Sequence, residues 1–315
     1  MKIQKIYSIL LLILFLGCEE KKTTTIEEIE LNTDVVKDSI TLYEATKARG
    51  FYTDTLEKNL AVKGFFNYID SVVCKFQQEL NYPINEHILV RANPWIIDTL
   101  TSLDYYRAKA NGKTIFRQDT IPVLRKGQKL LIPDSALAAA INDTLLNTVI
   151  DVNIPEFKLR IYEYHILKHE FLVRVGKNEK KFLVMAGREV DLKTPVGVGE
   201  IVRLNRDPYY VNPTTGKRYF QTRRDDNVYT KMPVIPWIEP TINGIRHGSL
   251  IHPTTNENTL GKPYSSGCIG TKEADAWIIY YSAPIGTKVA YRYNLVNINE
   301  QGDTVLLKDI YNRKK

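Results

Sequence analysis

Sulfur and metal ligands are scarce in this sequence of 315 residues, which holds three cysteines, three methionines and five histidines. The histidines and cysteines never fall in a ligand-like cluster, so no metal site is implied and nothing calls for a cofactor. Past Leu16 the chain has no further apolar run long enough to cross a bilayer. Charge of one sign is only mildly short: 43 Lys and Arg against 36 Asp and Glu give a net charge of +7, spread along the chain. No interleaved basic and aromatic module accompanies that excess, which excludes nucleic acid as a partner. A basic surface of this kind suits an anionic polymer such as cell wall, or lipid headgroups.

What is present begins at the amino terminus. MKIQKIYSILLLILFLGC opens on lysines, runs apolar from Ile6 to Leu16 and ends in Gly17-Cys18. Such a core is too short for a permanent span and has the pattern of an export signal over residues 1–18. Gly17-Cys18 resembles a bacterial lipobox, with Phe15 where leucine is usual. The resemblance implies lipidation of Cys18 and an exported, membrane-anchored lipoprotein facing the periplasm, held by more than one acyl chain. Residues 19–38 are polar and charged without a core-forming period, as expected of a flexible tether.

Residues 39–143 read as a mainly α or α+β domain. Helical spacing runs from about Ser39 to Leu80 with one interruption at Gly50, and again around Pro94 to Ala110. In FFNYIDSVVCKFQQEL the apolar residues recur at that spacing, which predicts Cys74 as a buried core thiol. TIPVLRKGQKLLIPDS reads as short strands around a Lys126-Gly127 turn. It resembles the closing run of LysM cell-wall modules, though the opening half of such a module is missing.

From Thr148 the texture becomes β, with apolar and polar residues alternating through VIDVNIPEFKLRIYEY and HEFLVRVGK. Strand returns at TKVAYRYNLV and TVLLKDI. One helix is expected, Lys272 to Tyr281, capped by Thr271 with Glu273 and Asp275 in its first turn. Trp237, Trp277, Tyr280 and Tyr281 read as core. The predicted fold class is therefore a mostly β catalytic domain, a sandwich or barrel with one helix after the nucleophile, over 148–293. A strand and tail follow over 294–315.

A cysteine nucleophile needs a base, a group that orients the base, and donors for the oxyanion formed on attack. Ser266-Gly267-Cys268 offers the last, because Gly267 permits a tight turn that aims the Gly267 and Cys268 N–H groups at one oxygen. A helix opening near Thr271 would bring a positive dipole end to the sulfur. A disulfide between Cys74 and Cys268 would waste that thiol. His87 belongs to the helical domain, and His165 and His169 to a solvated hairpin. His247 and His252 remain, in GIRHGSLIHP, on opposite faces if that stretch is one regular strand. Spacing alone does not choose between them.

Ile251-His252, Leu260-Gly261 and Ser265-Ser266-Gly267-Cys268-Ile269 resemble the signature of the L,D-transpeptidase, or YkuD, family, a histidine element followed by S-x-G-C-I. DVNIPEFKLRIYEY, KTPVGVGEI and GTKVAYRY resemble three further elements of that family, so the likeness runs from about Thr148 to Tyr293. It implies an enzyme that cross-links peptidoglycan stem peptides. Cys268 would be the nucleophile, His252 its base and the Pro253 carbonyl the group that orients the base. Proline stands where glycine is common but keeps the C=O that this role needs.

The resemblance further implies a pocket lined by Tyr264, Ser265, Ser266, His247 and Arg246, and a possible carbapenem adduct on Cys268. It is broken at Gly270, where arginine or asparagine is common. Arg246, Arg223 and Arg224 are candidates to replace that contact. An L,D-carboxypeptidase trimming tetrapeptides to tripeptides is the alternative enzyme; a non-catalytic wall-binding lipoprotein is the alternative of another class.

Overall fold

The computed structural model describes residues 50–298 and 301–313. The export signal, Cys18, the tether and the first residues of the expected helical domain lie outside them. The described chain opens with strands where a helix was expected. β1 (Gly50–Thr55) and β2 (Leu60–Ala61) precede α1 (Val62–Glu79), α2 (Glu86–Arg91), α3 (Trp95–Thr101) and α4 (Tyr105–Ala110). Then come β3 (Pro122–Leu124), β4 (Lys129–Pro133) and α5 (Ser135–Leu146). Gly127 makes the expected turn at φ 85°, yet β3 and β4 do not pair across it. β4 lies antiparallel to β1 and β3 to β2, so partners distant in sequence override the local helical spacing at 50–61.

The stretch expected as one helix around Pro94 to Ala110 is two. Ser102 closes α3, and Asp104 starts α4 by accepting the Arg107 N–H on its side chain. Cys74 also departs from expectation. The buried stripe of α1 is Val62, Phe65, Ile69, Val72 and Phe76. Position 74 lies two residues from both Val72 and Phe76, about 200° round the helix, so Cys74 is exposed. Both Cys74 and Cys268 are free thiols.

The following region is mostly β. Its strands are β5 (Thr148–Asn153), β6 (Lys158–Glu163), β7 (Ile166–Leu172), β8 (Val175–Gly176), β9 (Lys180–Leu183), β10 (Arg188–Asp191) and β11 (Gly197–Asn205). β12 (Gln221–Arg223), β13 (Tyr229–Lys231), β14 (Trp237–Pro240), β15 (Ile251–Pro253), β16 (Pro263–Ser265) and β17 (Ile269–Thr271) lead into α6 (Glu273–Ser282) and β18 (Lys288–Arg292). Eight of them form one sheet in the order β17-β15-β14-β11-β18-β5-β6-β7. The sheet is nearly closed: beyond β7, Arg174 donates to and accepts from Gly270 of β17 through two backbone hydrogen bonds, 2.9 and 3.0 Å. The alternating inward residues Ile150, Val152, Leu159, Ile161, Ile201 and Val289 form the interior.

α6 carries Trp277, Tyr280 and Tyr281, all buried, against Phe66 of α1 and His87 of α2. Its amino end is not capped by Thr271, which lies in β17 and donates its hydroxyl to the Lys272 carbonyl. The N-cap position is Lys272, and Asp104 from the amino-terminal region accepts the Ala274 N–H instead. Glu273, buried, accepts from Arg224, from Gln118 and from the Tyr105 N–H. The helix behind the Cys268 loop is thus keyed to the preceding region by hydrogen bonds, and to the β region by the Arg224 ion pair. β19 (Val296–Ile298) and β20 (Thr304–Leu306) pair as a hairpin, after which the chain returns to the β region at Tyr311.

Candidate functional site

β15 and β17 run parallel, with His252 opposite Gly270 and Ile251 opposite Ile269. Cys268 immediately precedes β17, so the histidine and the cysteine stand on neighbouring strands beside the seam of the sheet. His252 Nδ1 lies 2.9 Å from the Pro253 carbonyl oxygen. A carbonyl only accepts, so Nδ1 carries the proton and Nε2 keeps its lone pair, the tautomer a base requires. The half-buried imidazole packs against the Trp237 ring, with centroids 5.4 Å apart. Burial, reinforced by the Arg174 guanidinium and opposed by the Pro253 carbonyl, takes its pKa down to about 4. The imidazole is therefore neutral at physiological pH.

The Cys268 thiol donates to the Gly248 carbonyl at 3.7 Å. Burial pushes its pKa up, while the Leu250 backbone and the Arg174 charge act against burial. The helix dipole expected to help is not at the sulfur, because strand β17 separates Cys268 from the helix cap at Lys272 by about 13 Å of extended chain. A thiol beside a neutral imidazole, both partly desolvated, can transfer its proton as it attacks an electrophilic carbonyl carbon.

The loop before Cys268 is pinned from several sides. Gly267 has φ 106°, a conformation that favours glycine. Its carbonyl accepts from Ser249 at 2.7 Å and from Thr194 at 3.1 Å. The buried Ser265 hydroxyl donates to the Cys268 carbonyl at 2.6 Å and accepts the Gly267 N–H at 3.2 Å. Two expectations change accordingly. Ser265 shapes the turn rather than facing a ligand, and the Gly267 N–H is committed inside that turn, which leaves the Cys268 N–H as the remaining candidate oxyanion donor.

His247 is exposed in a loop before β15, since GIRHGSLIHP is not one strand. With Arg246, Ser249, Ser266 and Gly267 it lines a cleft of about 360 Å³, completed by Arg188, Asp191, Lys193 and Arg313 among others. Tyr264 is exposed, with the Lys177 ammonium 5.0 Å from its ring centroid. The cleft is therefore predominantly cationic. Arg246 is held at its rim by Glu239, 2.7 Å away.

Arg223 is exposed and donates to Asn227. Arg224 is buried in its pair with Glu273 and lies 4.5 Å over the Tyr105 ring, so it is unavailable to a ligand. Among the described residues no group of three or more metal-ligating side chains occurs.

Several contributors carried no sequence signal of their own. Trp237, read as core, flanks His252. Arg174 overlies Gly270, and Tyr291, buried on β18, feels the charge of Cys268. Tyr311, in the expected tail, donates to the Gly176 carbonyl at 2.8 Å and accepts the Thr194 N–H at 3.1 Å. Tyr311→Phe leaves both groups buried without that partner, at about 1–3 kcal/mol for each. The variant is expected to melt several degrees below wild type by thermal denaturation; coincident melts would remove Tyr311 from the support of the Thr194–Gly267 contact.

The cysteine loop thus sits on a mostly β, nearly closed sheet with one helix behind it. Residues 147–290 match the model of the YkuD family, the L,D-transpeptidase catalytic domain. Its structure is similar to an L,D-transpeptidase from Mycobacterium smegmatis, at 12% identity and a TM-score of 0.33 over 46% of this chain and 58% of that one. An L,D-transpeptidase from Xylanimonas cellulosilytica is similar at 16% identity and a TM-score of 0.34, over 65% and 92% of the two chains. L,D-transpeptidase 3 from Mycobacterium tuberculosis, solved with a faropenem-derived adduct, is similar at 17% identity and a TM-score of 0.31, over 46% and 60%. Against the two mycobacterial proteins the match spans less than two thirds of their length. No curated protein matches the sequence.

Proposed function

We propose that this chain is a peptidoglycan L,D-transpeptidase in which Cys268 is the nucleophile and His252 the base. The observation that carries the reading is the His252 Nδ1–Pro253 carbonyl hydrogen bond beside Cys268, because it leaves Nε2 free to take the thiol proton. Sulfur attacks the stem-tetrapeptide carbonyl as Nε2 accepts its proton. The tetrahedral adduct collapses to a thioester, and the imidazolium returns the proton to departing D-alanine. An acceptor amine then attacks the thioester, its proton passes to His252, and the C–S bond breaks to restore the thiol. The cationic cleft beside Cys268 suits the carboxylates of stem peptides.

Incubating the protein with a disaccharide tetrapeptide and following products by mass tests this reading. Wild type is expected to release D-alanine and form cross-linked dimer, and Cys268→Ala to lose both by at least about 10³-fold. Tripeptide without dimer would identify the carboxypeptidase; no D-alanine release from wild type would end the enzymatic reading. A carbapenem is expected to acylate Cys268 by the same attack. The Gly17-Cys18 signal supports lipid anchoring at the membrane, with the catalytic region facing the wall, and Cys18→Ser is expected to shift the protein to the soluble fraction.

A further inference from the structure

Among the described residues, the cation whose charge acts on both Cys268 and His252 is Arg174. Its backbone is locked to Gly270 by the two hydrogen bonds that close the sheet, and its side chain lies across Gly270 itself. A β-carbon on residue 270 would sit 2.6 Å from Arg174 Cγ and collide with Nε as well. The absence of a side chain at Gly270 is thus the condition for the guanidinium to lie where it does, two residues from Cys268.

The largely buried guanidinium is short of partners. One terminal nitrogen donates to Thr259 at 3.2 Å, whereas among the described residues Nε has no acceptor and no carboxylate pairs with the side chain. The ionisable groups that feel its charge are Cys268, His252, Tyr219 and Tyr264. A desolvated cation without a counter-ion is costly unless the site uses it. Beside a thiol, such a charge favours thiolate.

We propose that Arg174, seated in the space Gly270 leaves open, is the positioning residue that stabilises the anionic form of Cys268. The proposal rests on the reading of Cys268 as nucleophile, and it fills the break in the family signature at Gly270 from the bridge residue between β7 and β8. It also assigns a function to Gly270: an Arg or Asn side chain there and the observed Arg174 position exclude one another.

The test is peptide-resolved iodoacetamide labelling of the full chain across pH, with exposed Cys74 in the same digest as internal control. Arg174→Met is expected to move the Cys268 labelling midpoint up by about one pH unit, roughly a tenfold loss of thiolate at neutral pH. Gly270→Ala is expected to shift it in the same direction by displacing the guanidinium, and Arg174→Lys to shift it less. Cys74 labelling stays unchanged in every folded variant. If Arg174→Met does not fold, Gly270→Ala and Arg174→Lys decide. An unmoved midpoint in the folded variants overturns the proposal, as does a shift in Arg174→Met with none in Gly270→Ala. The labelling needs no peptide substrate, so failure of wild type to release D-alanine would sink the proposed function and leave this measurement independent.

Discussion

His252→Ala is expected to slow acylation of Cys268 by a stem tetrapeptide by about 10²–10⁴-fold, the range a positioned base supplies. The expectation follows from the tautomer set by Pro253 and from the lack of any comparable placement for the other histidines. His87 is buried at 3.1 Å from the Tyr280 carbonyl in the amino-terminal region, and His165 is exposed in the tight turn between β6 and β7. His247→Ala in the cleft wall is expected to cost far less, and equal losses in the two variants would undo the assignment. The pH profile gives a second check. Protonation removes the base, and the His252 pKa is lowered to about 4, so the acid limb of kcat/KM belongs near pH 4 rather than near the ordinary imidazole value of about 6.5. An acid limb near 6.5 would mean that another group, or a solvated His252, does the work.

Glu273→Ala is expected to destabilise the fold by about 3–5 kcal/mol, because it strands the charge of Arg224 in the interior. The pair is 1% and 2% exposed, with Arg224 Nη1 2.5 Å from the carboxylate. The same carboxylate accepts from Gln118 and from the Tyr105 N–H, so its removal also unpairs groups of the amino-terminal region. Against a typical unfolding free energy of about 5–15 kcal/mol this is a large fraction. Replacing both partners, as Arg224→Met with Glu273→Met, is expected to recover much of the loss, since no charge is then left buried. Denaturant melts of the single and double variants measure it. A single-variant loss below about 1 kcal/mol would show that the interface relaxes to admit water.

The parts legible in the sequence are those whose chemistry is local. Ile251-His252-Pro253 and Ser265 to Ile269 are each short runs, in which imidazole and carbonyl are adjacent and the turn adjoins the cysteine. Alternation through β5 and β6 and helical spacing in α6 are likewise short-range patterns. Expectations failed where a distant partner decides the outcome. β1 is a strand because β4 pairs with it, and α6 is capped by Asp104 because Thr271 is held in β17. The Gly267 N–H is a local case, taken by the Ser265 hydroxyl two residues away. Cys74 is a different case: its apolar neighbours were read correctly, but a two-residue offset turns it to solvent.

The amino-acid order thus sufficed, through its resemblance to the family signature, to single out Cys268, His252 and Pro253 as candidates and to mark Gly270 as the odd position. That Arg174 occupies the space over Gly270 could be learned only from the folded chain. The closure of the sheet brings those two residues together through backbone hydrogen bonds, which carry no trace in side-chain pattern. The cap of a helix, the burial of a charge and the guest in an empty glycine site all depend on atoms that are neighbours in space and remote along the chain.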